Sequence, residues 1–431
     1  MAPNPNYAPS HQTVLTVIEL TINVIGLRAA MFRFAEMKRD DLCEPVRQRL
    51  CRLPKPFAAH YGVKPSPPPE DGIDLRAVRL RCEQAHAAMV RADTLATALP
   101  DPWLVSRVLA RQEAVSSSAI EGTNSTLDEL LTVEETSDGS ATDSAKQTRN
   151  YALALDTLVP EARAMGPSLF TLDLIRRLHC LVMQDDPDYR DAPGQFRQVV
   201  VWIGGGDIAY STYNPAPPED VAECLEQTVD YMRAEGMQVM TQGLLTRMAV
   251  SHAHFEAVHP FRDGNGRVGR LLLPLMMVAE GHVPLYLSPY IEAQKLAYYD
   301  AMKAAQQRLD LPAIVGFLAD AVIGTVAELE ATSKALAELQ HLWRGRRRFR
   351  ANSSPLRTLA LLPHYPVVTV NRLAALLGIS FHSASLAIRQ LADAGIVTER
   401  TGYSRNRVFV AQEVLSLVNR PFGVEPMLPG E

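Results

Sequence analysis

The residues best equipped for chemistry stand in one run: His259-Pro260-Phe261-Arg262-Asp263-Gly264-Asn265-Gly266-Arg267-Val268-Gly269-Arg270. It holds a base, a carboxylate, an amide between two glycines, and two arginines three apart. An apolar run, Leu271 to Val278, follows directly. That order predicts a loop, a helix start, and a buried helix from Leu271 to Glu280. A glycine-rich turn feeding a helix N-terminus aims free backbone N–H groups at one point, which suits a bound phosphate. Asp263 is placed to hold Mg²⁺ against that phosphate, because Mg²⁺ is usually bound by one or two carboxylates plus phosphate oxygens. Arg267 and Arg270 share a helix face and can fork onto phosphate oxygens. His259 is the nearby group suited to taking a proton near neutral pH. The chemistry implied is attack on a nucleotide phosphate.

The elements that must position this run are helical. Helical spacing is predicted from Ile73 to about Leu131, including Trp103 to Glu121. Further helices are expected over Lys146–Glu161, Ser168–Met183 (capped by Ser168 or Thr171), Val221–Glu235 and Gln242–Val258. After the motif, Ile291–Leu309 and Leu311–Leu342 read as helices. Gln198-Val199-Val200-Val201-Trp202-Ile203, then Gly204-Gly205-Gly206 and Ile208-Ala209-Tyr210, read as a β-hairpin. Six prolines between Pro54 and Asp71 predict an extended surface segment. Thr136 to Ser144 reads as a linker.

Beyond Arg350, short helices over Val370–Leu377 and Ser383–Ala394 precede a strand–turn–strand over Ile396–Val410. That order resembles a winged helix-turn-helix. Between His341 and Val410 there are 11 arginines and two acids, so this unit is locally +9 in a chain of −5. A basic module on an acidic body suggests a nucleic-acid face. Ser383, Ser385, Arg389 and Gln390 would face the groove, and Arg405 and Arg407 the wing. A protein-contact or dimerisation module of the same fold is the other reading.

The 431 residues suit two or three domains. The expected division is an extension with the proline-rich segment (1–72), a helical region (73–135), a catalytic domain (145–342) and the C-terminal unit (351–418). Five scattered cysteines without a Cys-x-x-Cys pair point to a reducing, cytoplasmic setting. Val14 to Phe34 is apolar but carries Glu19, Asn23 and Arg28, so it makes a poor signal peptide or membrane span. It is read either as a marginal helix or as an extension before a true start at Met31 or Met37.

The catalytic run resembles the signature of the Fic family, His-x-Phe-x-(Asp/Glu)-Gly-Asn-Gly-Arg-x-x-Arg, with each defined position present. The resemblance implies a mainly α fold: an all-helical Fic core with a small β-hairpin flap, here followed by the winged helix-turn-helix. It implies a nucleotidyltransferase that moves AMP from ATP to a Tyr, Ser or Thr hydroxyl of a protein, itself included. Catalytic His259, Mg²⁺-binding Asp263, and ATP-binding Gly264, Asn265, Gly266, Arg267, Val268, Gly269 and Arg270 follow from it, with Asn265 stabilising charge on the α-phosphate. Ser117-Ser118-Ala119-Ile120-Glu121-Gly122 resembles the family's inhibitory motif, (Ser/Thr)-x-x-x-Glu-(Gly/Asn), through Ser117, Glu121 and Gly122. The charge logic is competition: a carboxylate paired with Arg270 denies that arginine to ATP. Val200, Val201 and Trp202 take the place of the flap that clamps a target. Tyr298 and Tyr299 lie where relatives hold adenine, a core role for one of them being the other reading. His252 and Glu256 brace the loop or, less naturally, bind metal. Some relatives with the inhibitory glutamate also remove AMP. The competing function is a DNA-binding regulator whose Fic part senses nucleotide. No membrane partner is expected, and a homodimer stays open.

Overall fold

The computed structural model describes residues 37–97, 102–136, 141–184, 186–234, 242–401 and 407–430, without the side chains of 102–106. The apolar Val14–Phe34 stretch, the middle of the 136–144 linker and the wing tip with Arg405 lie outside the described residues.

Two short strands open the described chain, β1 (Leu50–Arg52) and β2 (Tyr61–Val63), paired antiparallel. The proline segment is therefore not merely a surface strap. Val63 and Pro215 form a parallel bridge, and Val63 packs with Leu42, Val46, Tyr213 and Ala257. The helical core follows: α1 (Arg79–Thr97), α2 (Pro102–Ile120), α3 (Leu127–Thr136), α4 (Asp143–Met165), α5 (Leu172–Met183), α6 (Val221–Met232), α7 (Leu244–Val258), α8 (Asn265–Ala279), α9 (Ser288–Ala293), α10 (Lys295–Arg308) and α11 (Leu311–Arg346). Thr171, not Ser168, caps α5: its hydroxyl accepts from Leu174 N at 3.1 Å. The helix expected from Ile291 to Leu309 breaks at Gln294 into α9 and α10.

Helix α8 starts six residues before the expected Leu271, so Asn265, Gly266 and Arg267 are its first turn. Apolar periodicity marks only the part of a helix that faces a core, and this first turn faces the site. Helices α7 and α8 are buried on nearly every side, with Met248, Phe255, Val268, Leu271 and Leu275 in one apolar core. Helix α11 is apolar enough by length and composition to cross a bilayer. Ile314, Val315, Leu318 and Val322 are spent in the same core.

The expected hairpin over Val199–Tyr210 is not a ladder. Its pairing among the described residues is a single bridge, Ile203 with Tyr213. Gly204 and Gly205 turn the chain at φ +73° and +71°. Asp207 then caps a 3-10 turn, Ile208–Tyr210, by accepting from Ala209 N at 2.9 Å. The side-chain bond supplies a local alternative to strand pairing.

The C-terminal unit holds α12 (Ser354–Leu361), β3 (Val367–Thr369), α13 (Val370–Leu377), α14 (Phe381–Asp393), β4 (Thr398–Glu399), β5 (Val408–Val410) and α15 (Gln412–Val418). The strands form one antiparallel sheet in the order β3-β5-β4. Ser380 caps α14 through Ser383 N at 3.2 Å, and Gly378 ends α13 with φ +62°. The unit's core does not stop at the expected 342–351 boundary. Ala335, Leu339 and Trp343 of α11 belong to it, as do Val108 of α2 and Leu127 and Leu131 of α3.

Candidate active site

Helix α7 delivers His259 at its C-terminus. The residue is left-handed, φ 50° and ψ 64°, and its N–H donates to Phe255 O at 2.9 Å. Glycine is the usual occupant of such a position. Nδ1 lies 3.3 Å from Glu256 O. A carbonyl only accepts, so Nδ1 carries the proton and Nε2 keeps its lone pair. Burial, and then the positive charge of Arg197, push the imidazole down to about 4. His259 is therefore neutral at pH 7, as a base must be.

The loop after it is stapled from inside. Asn265 Oδ1 accepts from Phe261 N at 2.9 Å and Nδ2 donates to Phe261 O at 2.8 Å. The Asn265 side chain is thus occupied by the loop rather than aimed at a phosphate. What it leaves for an anion is its backbone amide. The first intrahelical bond of α8 is Val268 N to Gly264 O, 3.0 Å. The amides of Asn265, Gly266 and Arg267 precede it, which is the usual opening for an anion. Phe261 is fully buried and stacks on His179, ring centroids 3.7 Å apart. His179 Nε2 donates to Asp263 O at 3.1 Å, and its Nδ1 accepts from Gly194 N at 2.8 Å.

Each glycine of the motif answers a separate contact. Gly264 has φ +79°, and a Cβ there would meet Met183 Sδ at 2.8 Å. A Cβ on Gly269 would meet Glu256 Oε1 at 2.6 Å, so Gly269 serves the close approach of α8 to α7. A Cβ on Gly266 would come within 2.0 Å of Glu121 Oε1. Glu121 therefore lies over the N-terminal turn of α8, where a phosphate would sit. Val268 is fully buried in the core, so it can offer a nucleotide only backbone.

The two arginines of α8 differ in state. Arg270 is 2% exposed. Its Nε donates to Ser117 Oγ at 2.9 Å, and its Nη2 donates to Ser117 O at 3.0 Å and to Glu121 Oε1 at 2.7 Å. Arg267 is 3% exposed, touches Met183 Sδ at 3.1 Å, and has Nε and Nη1 without a partner among the described residues. An unpartnered buried guanidinium is costly unless an anion fills the space beside it. Burial pushes the Glu121 carboxyl up, but Arg270, then Arg267 and His259, outweigh it and hold the carboxyl below its usual range. Glu121 is ionised at neutral pH, and its side chain is 37% exposed. Gly122 ends α2 at φ +88°, and Lys295 Nζ donates to the last helical carbonyl, Ile120 O, at 2.7 Å.

Of the tyrosine pair, Tyr298 is buried and donates to His252 Nε2 at 2.8 Å. His252 Nδ1 donates to Gly269 O at 3.2 Å, so both of its nitrogens are used in bracing α8. Tyr299 is 39% exposed beside Lys295 and is the member open to a ligand. Glu256 is buried with Oε1 unpartnered, and burial raises its carboxyl to about 8. Around the reduced hairpin, Val201 is buried while Val200 and Trp202 are half-buried; Trp202 tilts on Phe57 at 5.8 Å. Sequence reasoning passed over His179, Lys295 and Arg197, each a single residue in an unremarked stretch.

For a metal, Asp263 offers the fitting donor. Its side chain is 65% exposed, Oδ1 accepts from Gly264 N at 2.6 Å, and Oδ2 lies 3.9 Å from Arg267 Nη2. No group of three or more His, Cys, Asp or Glu gathers into a cage among the described residues. One carboxylate at the mouth of a phosphate site suits Mg²⁺, which fills its shell with phosphate oxygens and water.

Residues 79–157 match the Fic/DOC family N-terminal model, and residues 169–277 match the Fic/DOC family model. These two stretches are thus similar to the two Fic/DOC units, and the mainly α fold with few strands agrees with that. Among curated proteins it is 35% identical over 112 residues to the protein adenylyltransferase fic-1 of Caenorhabditis briggsae, covering 26% of this chain and 20% of that one. To the protein adenylyltransferase Fic of Drosophila erecta it is 28% identical over 213 residues, 48% of this chain and 39% of that one. The chain thus spans less than half the length of these relatives. A solved Fic family protein from Desulfovibrio desulfuricans G20 shares the fold, with a TM-score of 0.50 at 20% identity over 80% of this chain and 98% of that one.

Proposed function

We propose that this chain is a protein adenylyltransferase restrained by its own Glu121. The observation that carries this is the contrast within one helix: Arg267 keeps two buried nitrogens without a partner among the described residues, while Arg270 is held by Ser117 and Glu121. The α8 N-terminus and Arg267 receive the phosphates of ATP. Asp263 is the carboxylate that would hold Mg²⁺, which supplies neutralisation of phosphate charge. His259 Nε2 takes the proton of a protein hydroxyl. The hydroxyl oxygen bonds to the α-phosphorus, the bond to the bridging oxygen breaks, and diphosphate leaves. Backbone near Val200 and Trp202 aligns the target segment. With Glu121 on Arg270 the outer phosphates lose a grip, and in-line geometry is lost. An ionised Glu121 in this place also suits activation of water for AMP removal.

The competing reading, a DNA-binding regulator with a nucleotide-sensing Fic part, leaves the geometry of His259 without a purpose, since a sensor needs no poised base. The arginines of the C-terminal unit are also partly spent. Arg400 pairs with Asp128 at 2.5 Å, Arg346 with Glu413 at 2.6 Å, and Arg407 with Glu399. DNA contact remains a proposal for the exposed face of α14, where His382 and Arg389 stand open. The test of the main reading is intact-mass spectrometry of Glu121→Gly protein incubated with ATP and Mg²⁺. The expected result is an adduct of AMP mass on Tyr, Ser or Thr; an unmodified protein would end this reading.

A further inference from the structure

Arg197, in the irregular segment between α5 and α6, is 2% exposed. Its guanidinium donates to four backbone carbonyls: Nε to His259 O at 2.8 Å, Nη1 to Val199 O at 3.1 Å, and Nη2 to Ala216 O at 2.7 Å and Val258 O at 3.3 Å. Its own N–H donates to Pro260 O at 2.9 Å. No carboxylate pairs with it among the described residues. A buried arginine without an acid is rare, because the charge is costly to desolvate. Burial accordingly lowers its pKa to about 10, which still leaves it charged at neutral pH.

What the arginine does with that charge is visible in its partners. Val258, His259 and Pro260 present three consecutive carbonyls at the C-terminus of α7. A helix leaves its last carbonyls unsatisfied, and a cation there is favoured by the helix dipole. One of the three belongs to His259, which sits in the left-handed region at φ 50°. That conformation disfavours a residue with a side chain and persists only where its surroundings impose it. The imposed backbone is what sets Nδ1 against Glu256 O and leaves Nε2 free.

We propose that Arg197 is a positioning residue for the base His259, fixing its left-handed backbone by capping the carbonyls on either side of its Cα. The inference rests on the AMP-transfer reading above. Burial and, after it, the positive charge of Arg197 favour the unprotonated imidazole. The backbone carbonyl of Glu256, then Glu121 and Asp263, pull the other way. Lysine cannot replace the fork, because one ammonium cannot reach carbonyls lying in several directions.

The test uses full-length Glu121→Gly protein as the active reference, with Arg197→Lys and Arg197→Gln added singly. Each is assayed for AMP incorporation, for ATP affinity by calorimetry, and for folded fraction by circular dichroism at the assay temperature. The expected result is a kcat per folded molecule down about a hundredfold in both variants, with ATP affinity within about twofold, the scale of misplacing one reacting group. Imidazole ¹⁵N signals give a readout without turnover: His259 holds one tautomer in the reference and mixes tautomers in Arg197→Gln. Unchanged kcat per folded molecule, or ATP affinity falling in step with kcat, would overturn the proposal and leave the AMP-transfer reading standing. A reference protein that transfers no AMP sinks the AMP-transfer reading, and its ¹⁵N signals then decide by themselves whether Arg197 sets the tautomer: one tautomer kept in Arg197→Gln overturns the proposal.

Discussion

The two ends of helix α2 are held by different physics. Around Arg107 and Arg111 it is anchored in a charge network of several members, largely buried except for Asp156 at 44% exposed: Arg111 meets Glu134 at 3.0 Å and Asp156 at 2.5 Å, and Arg107 meets Glu134 at 2.5 Å. Val108 there lies in the apolar core of the C-terminal unit, and Gln112 Nε2 donates to Val418 O at 2.9 Å. One turn on, Glu113 accepts from Tyr151 Oη at 2.9 Å and Ser288 Oγ at 2.6 Å. The other end touches the active site through Ser117 and one half-exposed carboxylate. A buried network is hard to open, because removing one member strands the others. A carboxylate at a rim moves by rotating its own side chain. Under the restraint proposed for Glu121, α2 would be a fixed arm with a movable tip, released without dislodging the helix.

The largest effect should come from the group the tip restrains. His259→Ala in the Glu121→Gly background should cut AMP incorporation about a thousandfold, the usual range for losing a general base, with ATP binding kept. Lost ATP binding with retained turnover would contradict the role given to His259. Glu121→Gly by itself should raise incorporation of α-labelled ATP about a hundredfold while melting within a few degrees of the parent. Equal labelling of the two proteins would dissolve the contrast between arm and tip.

At the anchored end the sign reverses. Arg111→Ala should cost on the order of 3 kcal/mol by denaturant unfolding, since Glu134 and Asp156 lose their partner. A variant as stable as the parent would show the arm is not anchored there. Acid should loosen the site as well. Burial holds His179 and His259 down at about 4 and His252 and His254 at about 3, so the unfolded chain binds more protons below pH 6.5. Stability should therefore fall as pH drops from 6.5 toward 4, by at most about 1.4 kcal/mol per pH unit for each histidine. Glu256, raised to about 8, opposes this by one proton between pH 8 and 4.5. Thermal melts across that range give the slope. Smallest of all, Gln112→Ala should cost about 1 kcal/mol or less and leave labelling unchanged; a rise in labelling would mean the C-terminal unit reaches the tip.

Much of the site was legible because its chemistry is local. A base, a carboxylate, three glycines and two arginines within one loop and one helical turn keep their neighbours whatever surrounds them. The capped start of α5 was legible for the same reason, resting on one hydroxyl and an amide three residues on. The hairpin was misjudged because a strand needs a partner, and Asp207 gave its chain a nearer one. The helix start was placed within the motif, but its exact boundary at Asn265 was not, because the first turn faces the site and shows no apolar stripe.

By itself, the sequence determined which groups can act: His259 to take a proton, Asp263 to face a metal, the α8 N-terminus to receive a phosphate. Resemblance added Glu121 as the restraint. Only the tertiary structure decided the state of each group. It laid Glu121 over Gly266, left Arg267 open three residues from an engaged Arg270, used up the Asn265 side chain inside its own loop, and set Arg197 under His259 from 62 positions away. Residue types and spacing carry chemistry because covalent geometry keeps near neighbours together. Protonation, pairing and orientation depend on burial and on distant partners, which exist only once the chain has folded.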